Sequence, residues 1–171
     1  MGKAGTGAKA GLVAGLVYGI IDGIFTFILL IVFKSDVMRA LSSTITGADS
    51  KLGITASSLY SSEVNFSIAG GIVGGLIIGL ILGIIFAYVY NKIPGKNIII
   101  KGEIFGVILW LIFSVLVGLF NAIIYGLTYY MVNIALGIIP LIVFGYLLGV
   151  LYNKWDISTQ PVTDTEFHEN E

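Results

Sequence analysis

The side chain with the most scope for chemistry is a single carboxylate. Asp22 stands inside the apolar run Gly11-Leu-Val-Ala-Gly15-Leu-Val-Tyr-Gly19-Ile-Ile-Asp22-Gly23. An aspartate at the centre of a membrane helix costs about 3 kcal/mol on insertion scales, so such residues face a bundle interior or a water-filled cavity. Exclusion of water favours the neutral form of a carboxyl group. Two roles follow for Asp22. One is a proton or cation site. The other, plainer role is a protonated tie between helices, with Thr26, Ser114 or Asn121 as its partner.

The remaining polar residues suggest structural work. Asn121 and Asn133 are expected to make interhelical hydrogen bonds. Glu103 is expected at headgroup depth, paired with Lys101 or Lys96. Asp164, Glu166, His168, Glu169 and Glu171 make an acidic tail that reads as solvated. The chain has no cysteine and one histidine, which leaves no disulfide, no thiolate chemistry and little for a transition metal. It offers no Ser/His/Asp set and no pair of intramembrane carboxylates, so no catalytic residue, no metal and no cofactor are expected. Gly2 to Gly7 has the gap of a phosphate-binding loop, but Ala8 stands where the motif needs Lys. Asn65-Phe66-Ser67 matches a glycosylation sequon only by pattern.

Composition says where these residues sit. Of 171 residues, 57% are hydrophobic and 11% are charged. Soluble domains carry about 25% charged residues. The chain therefore reads as an integral membrane protein. Its net charge of −1 gives nucleic acid nothing to bind. Four apolar segments are each long enough to span hydrocarbon, which takes about 20 helical residues. They cover roughly residues 10–33, 66–90, 98–125 and 131–152 within a transmembrane domain of residues 10–155. Residues 1–9 form a short basic start, 35–65 a polar loop and 156–171 the tail. Within the loop, Val37, Met38, Ala40 and Leu41 allow a short interfacial helix.

Basic residues set the expected orientation. Lys3, Lys9, Lys92, Lys96, Lys101 and Lys154 fall on the side of the termini; Lys34, Arg39 and Lys51 fall on the other. By the positive-inside rule both termini face the cytoplasm and the 35–65 loop lies outside the cell membrane.

Glycine spacing supplies the packing. Gly11, Gly15, Gly19 and Gly23 share one helix face, and so do Gly71, Gly75, Gly79 and Gly83. In lipid, association depends on close contact, and small residues four apart let two backbones approach. Leu29 and Ile81 are expected to face lipid instead. The second and fourth segments also end alike: Gly83 to Tyr90-Asn91-Lys92 parallels Gly145 to Tyr152-Asn153-Lys154, with Gly75 matching Gly137. The first and third match loosely, through Lys9 and Lys101 followed by glycine. The pattern implies two tandem helical hairpins in an all-α, four-helix transmembrane bundle.

Gly79 to Trp110 reads G-x-x-x-G-(x)6-Y-N-K-x-P-G-K-(x)4-K-G-x-x-x-G-x-x-x-W. This stretch resembles small multi-span membrane proteins of archaea and bacteria for which no activity is known. Four spans, paired hairpins and glycine rows are also similar to the duplicated proteolipid subunits of rotary ATPases. In those, the ion-binding carboxylate sits in a hairpin's second helix and the loops are short. Here Asp22 lies in the first helix and the first loop is long. The leading functional expectation is a non-enzymatic structural or accessory subunit, working in the lipid bilayer as a homo- or hetero-oligomer. The alternative is a small proton- or cation-coupled channel or transporter that uses Asp22.

Overall fold

A computed structural model describes residues 2–45, 51 and 53–156. Of the acidic tail expected over 156–171, residues 157–171 lie outside the described residues, as does the middle of the first loop. The elements are α1 (Lys3–Val32), α2 (Lys34–Thr44), α3 (Ala56–Val89), α4 (Ile98–Trp110), a π-helical segment (Leu111–Val117), α5 (Leu119–Tyr125) and α6 (Leu127–Trp155). Among the described residues, four helical stretches are long and apolar enough to cross a membrane: Lys3–Val32, Ala56–Val89, Ile98–Tyr125 and Leu127–Trp155. The fold is all-helical.

The helices overrun the apolar segments. At 1.5 Å per residue, α3 is about 50 Å long, against about 30 Å of hydrocarbon. Backbone hydrogen bonds continue past the last apolar residue, so α1 already starts at Lys3 and α3 at Ala56. Local caps fix the starts. The Ser58 N–H donates to Thr55 Oγ1 at 3.1 Å, and the Thr55 N–H donates to Ser58 Oγ at 3.0 Å, a capping box at the head of α3. The Ile100 N–H donates to Asn97 Oδ1 at 2.8 Å at the head of α4, just after Pro94 and Gly95. Where the sequence suggests a turn over residues 126–130, the break narrows to Gly126, whose φ of +100° suits glycine.

α1 and α3 pack along a seam of glycines. A methyl group on Gly15 would sit 2.8 Å from Gly79 Cα, and one on Gly75 would sit 2.7 Å from Gly19 Cα. Gly11 meets Gly79 and Gly83 in the same way, Gly71 meets Gly23, and Gly23 meets Ile68. These contacts are backbone to backbone, so no rotamer change relieves a larger residue.

α4 and α6 pack through a second seam. Gly102 stands against Gly145 and Gly149, and Gly106 against Leu141 and Gly145. The two hairpins share one register. Gly7 meets Gly83 as Gly102 meets Gly145, and Gly11 meets Gly79 and Gly83 as Gly106 meets Leu141 and Gly145. This register corrects the match of the first and third spans by one helical turn, because Gly11 answers to Gly106 and not to Gly102. Where the first hairpin sets Gly19 against Gly75, the second sets Ser114 against Gly137, with Ser114 Oγ 2.7 Å from where a Cβ would lie. Here the third span leaves α-helical geometry, and the Gly118 N–H reaches back to Phe113 O at 2.9 Å.

α1 also packs against α6, with Ala10 and Ala14 fully buried in a core that includes Phe144 and Leu148. The backbones of α3 and α4, by contrast, do not run along each other among the described residues. An aromatic pair bridges them near the tight turn, Phe86 to Phe105 at 5.4 Å between centroids, and Phe86 also meets Tyr152 of α6 at 5.6 Å. At that end Lys9 Nζ lies 4.4 Å from the Trp155 ring centre. At the opposite end α2 folds back, and Val37 is buried with Leu29, Leu30 and Tyr129. Leu29 is therefore a core residue, 3% exposed, and not lipid-facing. Ile81 does face outward.

Candidate functional site

The gap between the second and third spans holds the chain's polar interior. Three adjoining cavities run down it from the loop end. The outer one, about 370 Å³, is lined by Glu63, Phe66, Asn121, Tyr125 and Tyr129 together with Thr26, Ser67 and Gly70. The middle one, about 250 Å³, shares Thr26, Ser67 and Gly70 and adds Asp22, Tyr18 and Gly74. The inner one, about 100 Å³, shares Tyr18 and Ile78 with the middle cavity and is otherwise walled by Gly79, Leu82, Phe113, Leu141 and Phe144. Below it lies the aromatic cluster of Phe86, Phe105 and Tyr152. The result is a cleft with polar residues at its mouth, a carboxylate halfway down and an apolar floor.

Each wall follows from local sequence. Tyr18, Asp22 and Thr26 recur at four-residue spacing on α1 and so share one face. Ser67, Gly70 and Gly74, spaced three and four apart, share one face of α3, with Ser67 Oγ donating to Val64 O at 2.9 Å. The glycine doublets Gly70-Gly71 and Gly74-Gly75 serve two faces. Gly71 and Gly75 make the seam, while a Cβ on Gly70 or Gly74 would meet nothing within 4 Å. Those two glycines leave the cleft open beside Asp22.

The floor of the cleft lies where the two hairpins meet. Tyr18 on α1 takes the place that Phe113 takes on the third span, and Leu82 on α3 the place of Phe144 on α6. Tyr18 and Phe144 meet edge to face, with ring centres 6.0 Å apart.

Asp22 is half-buried and makes no side-chain hydrogen bond or ion pair among the described residues. Of its expected partners, Thr26 shares its cavity, Asn121 lines the outer cavity, and Ser114 lies against Gly137 in the second seam. Asn121 and Asn133 form no side-chain hydrogen bond among the described residues. The ties between spans come from amphipathic rings instead. Trp110 Nε1 donates to Ile134 O at 3.0 Å, and the Tyr130 hydroxyl donates to Val115 O at 2.8 Å. Glu103 has no ion pair among the described residues, and Lys101 lies beside the Tyr90 ring, 5.8 Å from its centre. The ion pair that does form among the described residues is Arg39 with Asp36, at 2.6 Å on α2 at the opposite end.

With this geometry in view, comparison with known proteins adds a family. A family model described as a family of unknown function, DUF6789, matches residues 1–163. The chain belongs to the DUF6789 family. No curated protein matches it, and no solved structure does. In this DUF6789 protein the chemistry of the site rests on the residues that line it.

Several of those residues escape a reading of sequence. Gly70 and Gly74 look like surplus members of the seam; the signal is that a seam at four-residue spacing needs only one glycine of each doublet. Tyr18 and Phe113 look like ordinary apolar positions until the hairpins are set in register. Glu63 looks like a loop residue but sits in α3 at the cleft mouth.

Proposed function

We propose that this integral membrane protein is a non-enzymatic cation- or proton-handling subunit, with Asp22 as the group that takes up and releases the positive charge. The observation that supports it is the cleft, which joins the Asp22 cavity to the loop end through Thr26, Ser67 and Gly70. A carboxylate used only as a tie would have a hydrogen-bond partner, and Asp22 has none among the described residues. The inequality of basic residues supports cytoplasmic termini in a cell membrane, with the cleft opening on the far side. On this reading the aromatic floor closes the path toward the cytoplasm, and passage needs the two hairpins to move at that floor.

The accessory-subunit reading is supported by a different observation. In its most apolar stretch, the third span is only 11% buried, against 28% or 33% for the others. Such a helix faces lipid or a neighbouring subunit, in a homo- or hetero-oligomer. The two readings are compatible, since a charge-handling subunit can work within an assembly.

The test is proton flux in liposomes that hold the purified protein, followed with an internal pH dye under an imposed gradient. Wild-type protein should carry flux and Asp22→Asn, folded and equally incorporated, should not. Equal flux from the two would end the proposal.

A further inference from the structure

The Asp22 site continues into a chamber that a bare ion cannot use. We propose that the cleft binds a lipophilic organic cation, with its ammonium-type group at the Asp22 carboxylate and an apolar ring in the chamber between Tyr18, Phe113 and Phe144. This rests on the reading of Asp22 as a cation site and names the class of cation.

Charge selects the sign. The cleft contains Asp22 and Glu63 and no Lys, Arg or His on any of its walls. In a low-dielectric surrounding those carboxylates attract a cation more strongly than they do in water. Asp22 has no hydrogen bond or ion pair among the described residues to compete for it.

The floor selects the body. A dehydrated metal ion needs oxygen ligands, six to eight of them for calcium and about six for magnesium. Among the described residues no three of His, Cys, Asp or Glu cluster to hold one. Within the chamber the Tyr18 hydroxyl is the one side-chain oxygen; the other walls are aliphatic, aromatic or glycine. Its volume of about 100 Å³ is of the order of an engineered apolar cavity, ~150 Å³, that binds benzene. One phenyl ring is the natural size. Tyr18 and Asp22 are one helical turn apart, a rise of about 5–6 Å. A ring joined to an ammonium group by one or two bonds spans that distance. Ring faces on Tyr18 and Phe113 would also attract the positive charge nearby.

Size supports the same class. The outer cavity, about 370 Å³, falls in the range of small-molecule sites, roughly 300–1,000 Å³, and the middle one, about 250 Å³, adjoins it. Gly70 and Gly74 hold this space open, since a Cβ on either would meet nothing within 4 Å.

The experiment is titration calorimetry on the full chain in mild detergent, with benzyltrimethylammonium and, as the ringless comparison, tetramethylammonium. The first should bind wild-type protein at least tenfold more tightly than the second. Asp22→Asn should weaken benzyltrimethylammonium at least tenfold, and Gly74→Leu, which fills the cleft without touching the seam, should do the same. Equal affinity for the two cations would overturn the role of the chamber. Equal affinity of wild type and Asp22→Asn would overturn the site. If benzyltrimethylammonium does not bind at all while Asp22→Asn still abolishes proton flux, the organic-cation proposal falls and the reading of Asp22 stands. If neither binding nor an Asp22-dependent flux is seen, both fall.

Discussion

Tyr18 and Asp22 stand one turn apart on α1 and line the same cavity, but only Tyr18 also lines the apolar chamber beneath it. Asp22 thus marks the depth at which the cleft changes from polar to apolar. Above it come Thr26, Ser67 and the mouth residues Glu63 and Asn121; below it come Phe113, Leu82 and Phe144.

The seam glycines should be intolerant of bulk. Gly15→Leu and Gly79→Leu each push a side chain into the opposing backbone. Overpacking of this kind costs about 1–3 kcal/mol or more, and it should appear as a clear drop in thermal midpoint in detergent. Ile81→Val, on the outer face, should change the midpoint little. Equal tolerance at the two kinds of position would refute the packing account.

The doublets permit a sharper comparison on one helix. Gly75→Ala meets the Gly19 backbone, whereas Gly74→Ala meets nothing. The first should destabilise the protein. The second should leave stability unchanged or raise it slightly, because glycine in a helix interior costs up to about 1 kcal/mol relative to alanine. Identical losses at 74 and 75 would show that the two faces of α3 are not distinct.

Much of this was legible in the sequence, and the limits have physical causes. Four-residue spacing of Gly11 to Gly23 and of Gly71 to Gly83 defines a face without any partner, because helical periodicity is local. The second seam was harder to see: Leu141 and Ser114 stand where the first hairpin has Gly79 and Gly19, so the row is broken even though Gly102, Gly106, Gly145 and Gly149 have the right spacing. Leu29 was misread because an apolar residue looks the same against lipid as against α2, and only the fold-back of α2 onto Val37 distinguishes them. The setting of Asp22 depends on which face of α3 the α1 seam leaves free and on a third span that turns π-helical at Leu111–Val117. Neither is a property of the residues near Asp22.

The ring-to-backbone ties between the third and fourth spans should matter. Trp110→Phe removes the donor to Ile134 O, and Tyr130→Phe the donor to Val115 O. Each should cost about 0.5–1.5 kcal/mol of stability, read as a lower midpoint with an unchanged helical circular-dichroism spectrum. Asn133→Leu, which breaks no side-chain hydrogen bond among the described residues, should cost less.

Orientation is testable because the chain lacks cysteine. Ser57→Cys lies at the exposed head of α3 and Asn91→Cys in the exposed turn after it. On intact cells an impermeant maleimide should label position 57 and spare position 91. The opposite pattern would place the termini outside.

The most direct test of the cleft is access to position 22 itself. In Asp22→Cys, a small cationic thiosulfonate reagent should modify the thiol when added from the side labelled at Ser57→Cys. It should fail to do so from the side labelled at Asn91→Cys, and adding Gly74→Leu should slow the reaction at least tenfold. Modification from the Asn91 side, or none from either side while Ser57→Cys reacts fully, would contradict a cleft that joins Asp22 to the loop end.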